Sequence, residues 1–517
     1  MPQASTVAPA QQSTPMSHRE VLEALSGLLL AMFVAMLSST VVSTALPRIV
    51  ADLHGTESGY TWVMVSMMLA LTATTPIWGK LADLFNKKLL VQVALVIYVA
   101  GSIVAGLSTS MPMLISARVI QGLGVGGLTA LVQVVIASIV SPRERGRYSG
   151  YLGAVFAVAT VSGPLIGGLI VDTDFLGWRW CFGVGVPFAV LAFVVLQKTL
   201  HLPTVKRENV RIDYLGATLI AAGFSLLLAW VTLAGSSFAW ASATTAVMVT
   251  AGVGALVAAV YVESRVAEPV IPLKLFRSST VALSVFASVM VGVVMFGSTV
   301  FLAQYFQLSR GMSPTHAGLM SLPLVLALAL SSVVSGRTIS RTGHWKGFLV
   351  GGAVLIATGT ALLSLLDADT PLVVAGLYTS VVGAGMGLVM QNLVLAVQNT
   401  VRHSDIGAAS SLVATFRTLG GAVGVALLGT ALSHKVTDLT APGLRAMGIT
   451  PTSGHQDIPD LSVMPAPLRD LFTGAFGEAT GHVFLLVVPF AILAALSVTF
   501  LRNVPLRTTL HREDELA

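Results

Sequence analysis

Apolar runs of about 20 residues, the length of a helix that spans a bilayer, recur along the whole of this 517-residue chain. They restrict the possible folds more than any other feature. Only 10% of the residues are charged and 55% are hydrophobic, whereas a soluble domain carries about 25% charged residues. The runs are solidly apolar and lack the alternation of barrel strands. We therefore predict an all-α polytopic membrane protein.

We predict fourteen membrane-spanning helices in these runs. They cover 22–45, 61–80, 89–107, 112–136, 148–171, 180–197, 214–234, 241–261, 280–304, 316–336, 347–366, 372–396, 406–432 and 481–501. Of the 29 Lys and Arg residues, 21 fall in segments on the side of the amino terminus and six on the other side. Positive residues accumulate in cytoplasmic loops, so both termini are predicted to be cytoplasmic, in a cell membrane.

A charged turn follows the second span and recurs in degraded form after the tenth. The first copy is the stretch 79–88, with Gly79, Asp83, Lys87 and Lys88, and the second is 336–346. The repeat indicates two six-helix halves with two extra central helices, an organisation typical of secondary transporters. We expect a disordered amino-terminal segment 1–21, a bundle 22–197, a linker with two spans 198–278, a bundle 279–501 with an external loop 433–480, and a tail 502–517.

Two interpretations of the first turn remain open. Its lysines can be a topology signal alone, with Gly79 breaking the helix. Alternatively, Asp83 pairs with a base on a neighbouring helix and holds one conformation closed. The nearest candidate bases are in the next turn on the same side, Arg143, Arg145 and Arg147.

These motifs resemble those of the major facilitator superfamily. The turn at 79–88 is similar to its signature loop, with Asn86 where glycine is usual, and 118–122 (RVIQG) is similar to its second motif. The spacing of glycines from Gly150 to Gly168 resembles the antiporter motif. Fourteen spans and Trp178-Arg179-Trp180 resemble the fourteen-helix drug:proton antiporter branch. The resemblance implies conformational roles for Gly79, Asp83, Lys87, Lys88, Gly163, Pro164, Gly167 and Gly168.

Two arginines lie inside apolar runs, Arg118 and Arg417. An intramembrane charge costs at least about 2.5 kcal/mol unless it is partnered or hydrated. Each is either a structural arginine bonded to carbonyl groups or a functional group, and the resemblance implies proton coupling. The branch usually carries an acid where this chain has Ser38, and no acid lies mid-span. Glu478 is therefore a candidate proton carrier, with Asp52 as another.

Polar and flexible side chains deep in the spans are candidates for a substrate cavity. Methionine suits a site that accepts varied ligands because it repacks easily, although packing against lipid or core is the alternative for each residue. The candidates are Phe33, Met36, Met67, Gln133, Phe156, Phe296, Gln391 and Asn392.

The resemblance implies a multidrug efflux transporter that exports amphipathic organic compounds in exchange for protons. A dedicated exporter of an endogenous metabolite or antibiotic and a non-transporting membrane receptor are the alternatives. The sequence has no phosphate-binding loop, metal-ligand cluster or nucleophile triad, so we expect neither an enzyme nor a cofactor or metal. The basic residues report topology, so no nucleic-acid partner is expected; the predicted partners are a small molecule, protons and the lipid bilayer, and the chain is expected to be a monomer.

Overall fold

The computed structural model describes residues 18–55, 57–173, 176–200, 213–235, 238–266, 268–447 and 465–507. Within them, fourteen segments are helical, long and apolar enough to cross a membrane, which confirms the all-α, fourteen-span prediction. The helices are α1 (His18–Asp52), α2 (Glu57–Leu84), α3 (Lys87–Gly106), α4 (Met111–Ile139), α5 (Pro142–Asp172), α6 (Trp180–Gly183), α7 (Gly185–Thr199), α8 (Tyr214–Leu233), α9 (Ala243–Glu263), α10 (Ser279–Gln304), α11 (Pro314–Leu319), α12 (Leu322–Thr342), α13 (Lys346–Leu363), α14 (Leu372–Thr400), α15 (Ile406–Ala446) and α16 (Ala466–Thr499).

Three of the crossing segments are not single regular helices. The sixth crossing consists of α6 and α7, and the tenth consists of α11 and α12. A π-helical turn, Tyr305–Ser309, continues α10, and a 3-10 turn, Leu273–Arg277, leads into it. Another 3-10 turn, His403–Asp405, immediately precedes α15.

One expectation about a helix end is wrong. Gly79 does not break a helix, because α2 continues through it to Leu84. In the external region 433–480, to which the sequence assigns no fold, α15 extends to Ala446 and α16 begins at Ala466. Hydropathy detects only the part of a helix that crosses lipid, whereas backbone hydrogen bonding continues beyond it. Disorder was expected over 1–21, but α1 already begins at His18. Residues 1–17 of that segment, 201–212 of the linker 198–278 and 508–517 of the tail 502–517 lie outside the described residues.

The two related turns are fixed by residues that end or begin a helix. The side chain of Asn86 accepts hydrogen bonds from the N–H groups of Lys88 (2.9 Å) and Leu89 (3.3 Å) and thereby caps α3. Gly343 ends α12 with φ of +76°, a left-handed conformation that favours glycine. We call the end of the bundle that carries these turns the basic face, and the other end the opposite face.

Each half of the chain has its own apolar core. Buried residues of α1–α7 form the core of the first half, and a large cluster of buried residues between Ala287 and Leu506 forms the core of the second half. The extra pair α8–α9 packs beside the junction of the halves, where the rings of Phe224 and Phe416 meet edge to face with their centroids 6.1 Å apart. Ile77 of α2 lies against the same cluster. The α8–α9 pair therefore contacts one helix from each half.

Candidate functional site

The side chain of Asp83 joins the two halves at the basic face. Its carboxylate oxygens accept hydrogen bonds from the backbone N–H groups of Gly407 (2.8 Å) and Ala408 (2.9 Å). These groups belong to the first turn of α15, where unpaired N–H groups and the helix dipole favour an anion. The partner of Asp83 is thus a helix end, and the expected partner among the arginines of 143–147 is not what the structure shows.

Gly79 explains how α2 comes so close to α15. A Cβ atom at this position would overlap the Gly407 carbonyl and the Ser411 side chain. The absence of a side chain lets Asp83, one helical turn further along, reach the end of α15. Lys88 of this turn donates to the Gln197 carbonyl of its own half at 2.7 Å, and Lys87 lies at the first position of α3.

A second junction between the halves pairs α5 with α12. The guanidinium of Arg143 donates to the carbonyl groups of Ser340 (3.2 Å) and Arg341 (2.8 Å), near the last turn of α12. A cation is favoured there because the helix dipole places partial negative charge at the C-terminus of a helix. Gly146 and Gly336 let the two backbones touch, because a Cβ on either would meet the backbone of the other.

Arg145 and the segment 501–507 after α16 fill the space between these two junctions. The buried Arg145 donates to Gln398 of α14 at 3.3 Å, to the Val140 carbonyl at 2.8 Å and to the Ala137 carbonyl. The Arg507 carbonyl accepts from the Arg143 N–H at 3.1 Å. Together with the Asp83 and Arg143 junctions, these contacts form what we call the contact layer.

A small cavity lies directly behind the contact layer, between the halves. Its volume is about 10 Å³, enough for about one water molecule. Gln133 of α4 and Gln391 of α14, both predicted cavity residues, line it together with Arg145 and Gln398. The sequence thus identified one polar residue on each side of the same space.

The other predicted cavity residues do not converge on one site. Phe33 packs edge to face on Phe188 at 5.6 Å, and Phe296 packs against Gly421. Asn392 donates to the Leu388 carbonyl of its own helix at 2.7 Å. Phe156 of α5 packs against the core of the other half, whereas Met36 and Met67 belong to the core of their own half.

Arg118 is fully buried and partnered inside the first half. Its guanidinium donates to the Val63 carbonyl at 3.2 Å, the Ser38 carbonyl at 3.5 Å and the Gln121 side chain at 3.0 Å. Ser38, where an acid was expected, therefore contributes its backbone to this arginine. Arg417 differs, since it is half-buried and has no acceptor among the described residues.

The glycine-rich part of α5 lies against α1. A Cβ on Gly163 would overlap Thr40, whose hydroxyl group donates to the Ala159 carbonyl at 3.4 Å. Gly167 is buried and Gly168 half-buried in the same helix. Pro164 also lies within α5, but its side chain is outside the described part of the structure. The motif therefore packs α5 closely onto α1 of its own half.

The candidate proton carriers lie on the opposite face in ordinary pairs. Glu478 forms an ion pair with Lys435 at 3.4 Å, with 61% of its side chain exposed. Asp52 accepts from the Trp178 indole N–H at 2.8 Å. Neither acid is shielded from solvent in the way that proton storage usually requires.

An exposed acid on the opposite face has a perturbed pKa. The Thr370 hydroxyl donates to Asp367 at 2.6 Å, and this hydrogen bond to the charged form is the main reason that the pKa of Asp367 is lowered. The Asp367 carbonyl also accepts from the Tyr305 hydroxyl at 2.8 Å. The carboxylate therefore remains ionised at neutral pH, and its stabilising effect is lost only as pH falls through the lowered folded-state pKa.

Sequence reasoning missed several residues that tie the layer together. Lys80 forms an ion pair with Glu268 at 2.5 Å, and Lys274 forms one with Asp405 at 3.2 Å. Both acids are far from their lysines in sequence, and nothing in their local patterns indicates a partner. For the Gly146–Gly336 contact, the only signal in the sequence was the glycine that begins the second copy of the turn, Gly336.

Two bundles in one membrane-spanning chain, joined at one face by a layer of helix-end contacts, have the architecture of a helical membrane transporter. The sequence profile of the Major Facilitator Superfamily matches residues 28–425. The chain belongs to that family and is a transporter, not an enzyme.

Relatives are named as transporters or efflux pumps. An uncharacterized MFS-type transporter of Mycobacterium tuberculosis is 36% identical over 94% of this chain and 70% of its own length. Efflux pump dotC of Dothistroma septosporum is 32% identical over 94% of this chain and 84% of its own. Multidrug transporter protein MdtP of Bacillus subtilis is 32% identical over 82% of this chain and 78% of its own.

Solved structures share the fold at low sequence identity. The proton:xylose symporter XylE superposes with a TM-score of 0.65 at 14% identity, covering 96% of this chain and 99% of that one. The human organic anion transporter MFSD10 gives 0.58 at 14% identity, covering 92% and 100%. These likenesses concern the architecture alone.

Proposed function

We propose that this protein exports amphipathic organic compounds across the cell membrane in exchange for protons. The basic face and both termini lie in the cytoplasm, and a monomer carries out the cycle. The bias of Lys and Arg towards this face supports the orientation. Relatives named as an efflux pump and a multidrug transporter support export of organic compounds.

The observation that carries the proposal is the Asp83 cap on α15. It joins the halves through two hydrogen bonds to one helix end. Such a contact forms and breaks as a unit when two rigid bundles rock. We therefore assign Asp83, Gly79 and the Gly146–Gly336 contact to a cytoplasmic gate that is closed in this conformation.

Substrate is expected to bind between the halves, beyond the gate. Gln133 and Gln391 supply polar groups from both sides of this space, so a bound compound contacts both bundles at once. Differential binding to the two conformations is what allows a ligand to move the equilibrium between them. Arg417, which is half-buried and lacks an acceptor among the described residues, is available to hydrated or bound anions.

Transport by purified protein in vesicles with an imposed pH gradient tests the function. Uptake of a fluorescent amphipathic cation such as ethidium, driven by the gradient and lost in Asp83→Asn, is the expected result. Asp369→Asn, at an exposed acid on the opposite face, is the matched control. Uptake indifferent to the gradient contradicts proton exchange, and no uptake of any tested amphipathic compound contradicts multidrug export.

A further inference from the structure

Two buried carboxylates meet where the extra helices α8 and α9 reach the basic face. Asp213 precedes α8, and one of its oxygens, Oδ1, accepts from the Gly216 N–H at 2.8 Å. Glu263 ends α9 and accepts from the N–H groups of Val270 and Ile271, both at 3.0 Å. The two residues are 7% and 5% exposed.

The second oxygen of Asp213, Oδ2, is buried and has no hydrogen-bond partner within the described parts of the chain. A Cβ atom on Gly216 would lie 2.8 Å from Glu263 Oε1 and even closer to Asp213 Oδ2, so both oxygens border the same space at Gly216. Two negative charges next to each other and shielded from water repel each other, and each costs free energy to bury.

Among the described residues, the cation that faces the pair is Lys80 of α2. Its ammonium group already forms an ion pair with Glu268 at 2.5 Å. Arg265 stacks on the Tyr261 ring at 4.4 Å. The neighbouring residues of α15, Phe416 and Leu419, are not ionisable. A cavity of about 10 Å³, lined by Asp213, Lys80 and Glu268, leaves room for about one water molecule.

We propose that Asp213 and Glu263 form a proton-binding site that holds one shared proton while the contact layer is closed. The proton lies between Asp213 Oδ2 and Glu263 Oε1 and supplies the hydrogen bond that Oδ2 otherwise lacks. On release, the O–H bond breaks, the proton passes to water at the basic face, and the pair carries one more negative charge.

This charge acts on the contact layer through neighbouring groups. The ionised pair competes with Glu268 for Lys80, which lies one helical turn before Asp83 on α2. Glu263 also accepts hydrogen bonds from the backbone of 270–271. Lys274, three residues further along the chain, pairs with Asp405 at 3.2 Å beside the first turn of α15. Loss of the proton therefore loosens both sides of the Asp83 cap, and retention of the proton stabilises it.

The inference rests on the proposed rocking of the halves, but its first test does not depend on transport. Asp213→Asn keeps the shape of the side chain, retains the bond from the Gly216 N–H and offers an amide N–H to Glu263, as the shared proton does. Infrared difference spectra of the purified full chain in lipid, between low and high pH, are expected to show the C=O band of a protonated carboxyl group. The variant should lose that band, and Asp369→Asn, at an exposed acid on the opposite face, should retain it.

The second test follows the contact layer itself. Spin labels at Phe85 and His344, both exposed and on different halves, report its closure. The wild type is expected to shift to longer distances as pH rises, whereas Asp213→Asn should stay short throughout and lose the pH dependence. A band that survives in Asp213→Asn, or a variant that opens with pH as the wild type does, overturns the proposal. Gradient-driven export without the band refutes the site alone, and the band without gradient-driven export refutes only the proposed function.

Discussion

At the residue scale, the charge of Asp83 is the feature most open to test. Asp83→Asn preserves the shape of the side chain but places a neutral amide against the first turn of α15, where the carboxylate now accepts two backbone hydrogen bonds. Charged acceptors strengthen such bonds, so we expect the closed layer to lose about 2 kcal/mol. The ratio of open to closed protein should rise roughly 30-fold.

Distances between spin labels at Phe85 and His344 measure this ratio. Asp369→Asn provides the control, since the same chemical change at an exposed acid on the opposite face should leave the distribution unaltered. An Asp83→Asn protein that remains as closed as the wild type would show that the cap does not hold the layer.

Arg118 allows its structural and functional interpretations to be separated. Arg118→Lys keeps the positive charge but loses the planar fork that now reaches three acceptors, including Val63 and Gln121. We expect a cost of about 1–3 kcal/mol in the free energy of unfolding, seen as a lower melting temperature in detergent. Arg48→Lys, at an exposed arginine, should melt as the wild type does.

Export by the same Arg118→Lys protein then decides between the two roles. Lower export in proportion to the surviving folded protein indicates a structural arginine, whereas loss of export from fully folded protein indicates a role in transport. Unchanged melting and unchanged export together would mean that the fork is dispensable.

At the element scale, the approach of α5 to α12 depends on two glycines. In Gly336→Val, the new side chain overlaps the backbone at Gly146, and helices packed this closely cannot absorb the added volume without separating. We expect the variant to reach the membrane but to lose export because the basic face no longer closes. Gly347→Val tests specificity, since nothing lies within 4 Å of a Cβ there. Equal activity in the two variants would refute the close-packing argument.

The helices themselves were predictable because one physical requirement dominates them. A backbone in lipid must satisfy its hydrogen bonds within the helix, so apolar length alone located all fourteen crossings. The ends of α15 and α16 were not predictable in this way. There the chain leaves the hydrocarbon region, and packing such as that of Leu444 and Phe472 in one cluster decides how far each helix continues.

At the scale of the whole molecule, the candidate site depends on contacts that local sequence cannot encode. Asp83 was recognised as an unusual acid, but its partner lies 324 residues away and is a backbone group with no side-chain signature. Asp213 and Glu263 each resemble an ordinary helix-end acid until the fold brings them together across Gly216. Gln133 and Gln391 were found because a polar residue deep in an apolar run is conspicuous by itself.

The segment 501–507 after α16 crosses from one half to the other at the basic face. The Asn399 side chain donates to the Pro505 carbonyl and accepts from the Arg507 N–H, both at 3.1 Å, and the Arg507 carbonyl accepts from the Arg143 N–H of the other half at 3.1 Å. The indole N–H of Trp345 donates to the Val504 carbonyl at 2.7 Å. The closed contact layer therefore consists of the two halves and this segment, which is bonded to both of them.

Asn399→Ala removes the two bonds that its side chain makes with this segment, while the Arg507 guanidinium still donates to the Gln398 and Val401 carbonyl groups. We therefore expect closure to weaken by about 1–2 kcal/mol. The opening is measured with a reporter cysteine in place of the fully buried Ala137, in a Cys181→Ser background. A maleimide added at the basic face should label this cysteine roughly 5- to 30-fold faster in the protein with Asn399→Ala than in the protein without it. Gln92→Ala removes an exposed amide pair at the same face within one half and should leave the rate unchanged. If Asn399→Ala and Gln92→Ala label equally slowly, the segment only rests on the closed layer, and the two halves hold the basic face shut without it.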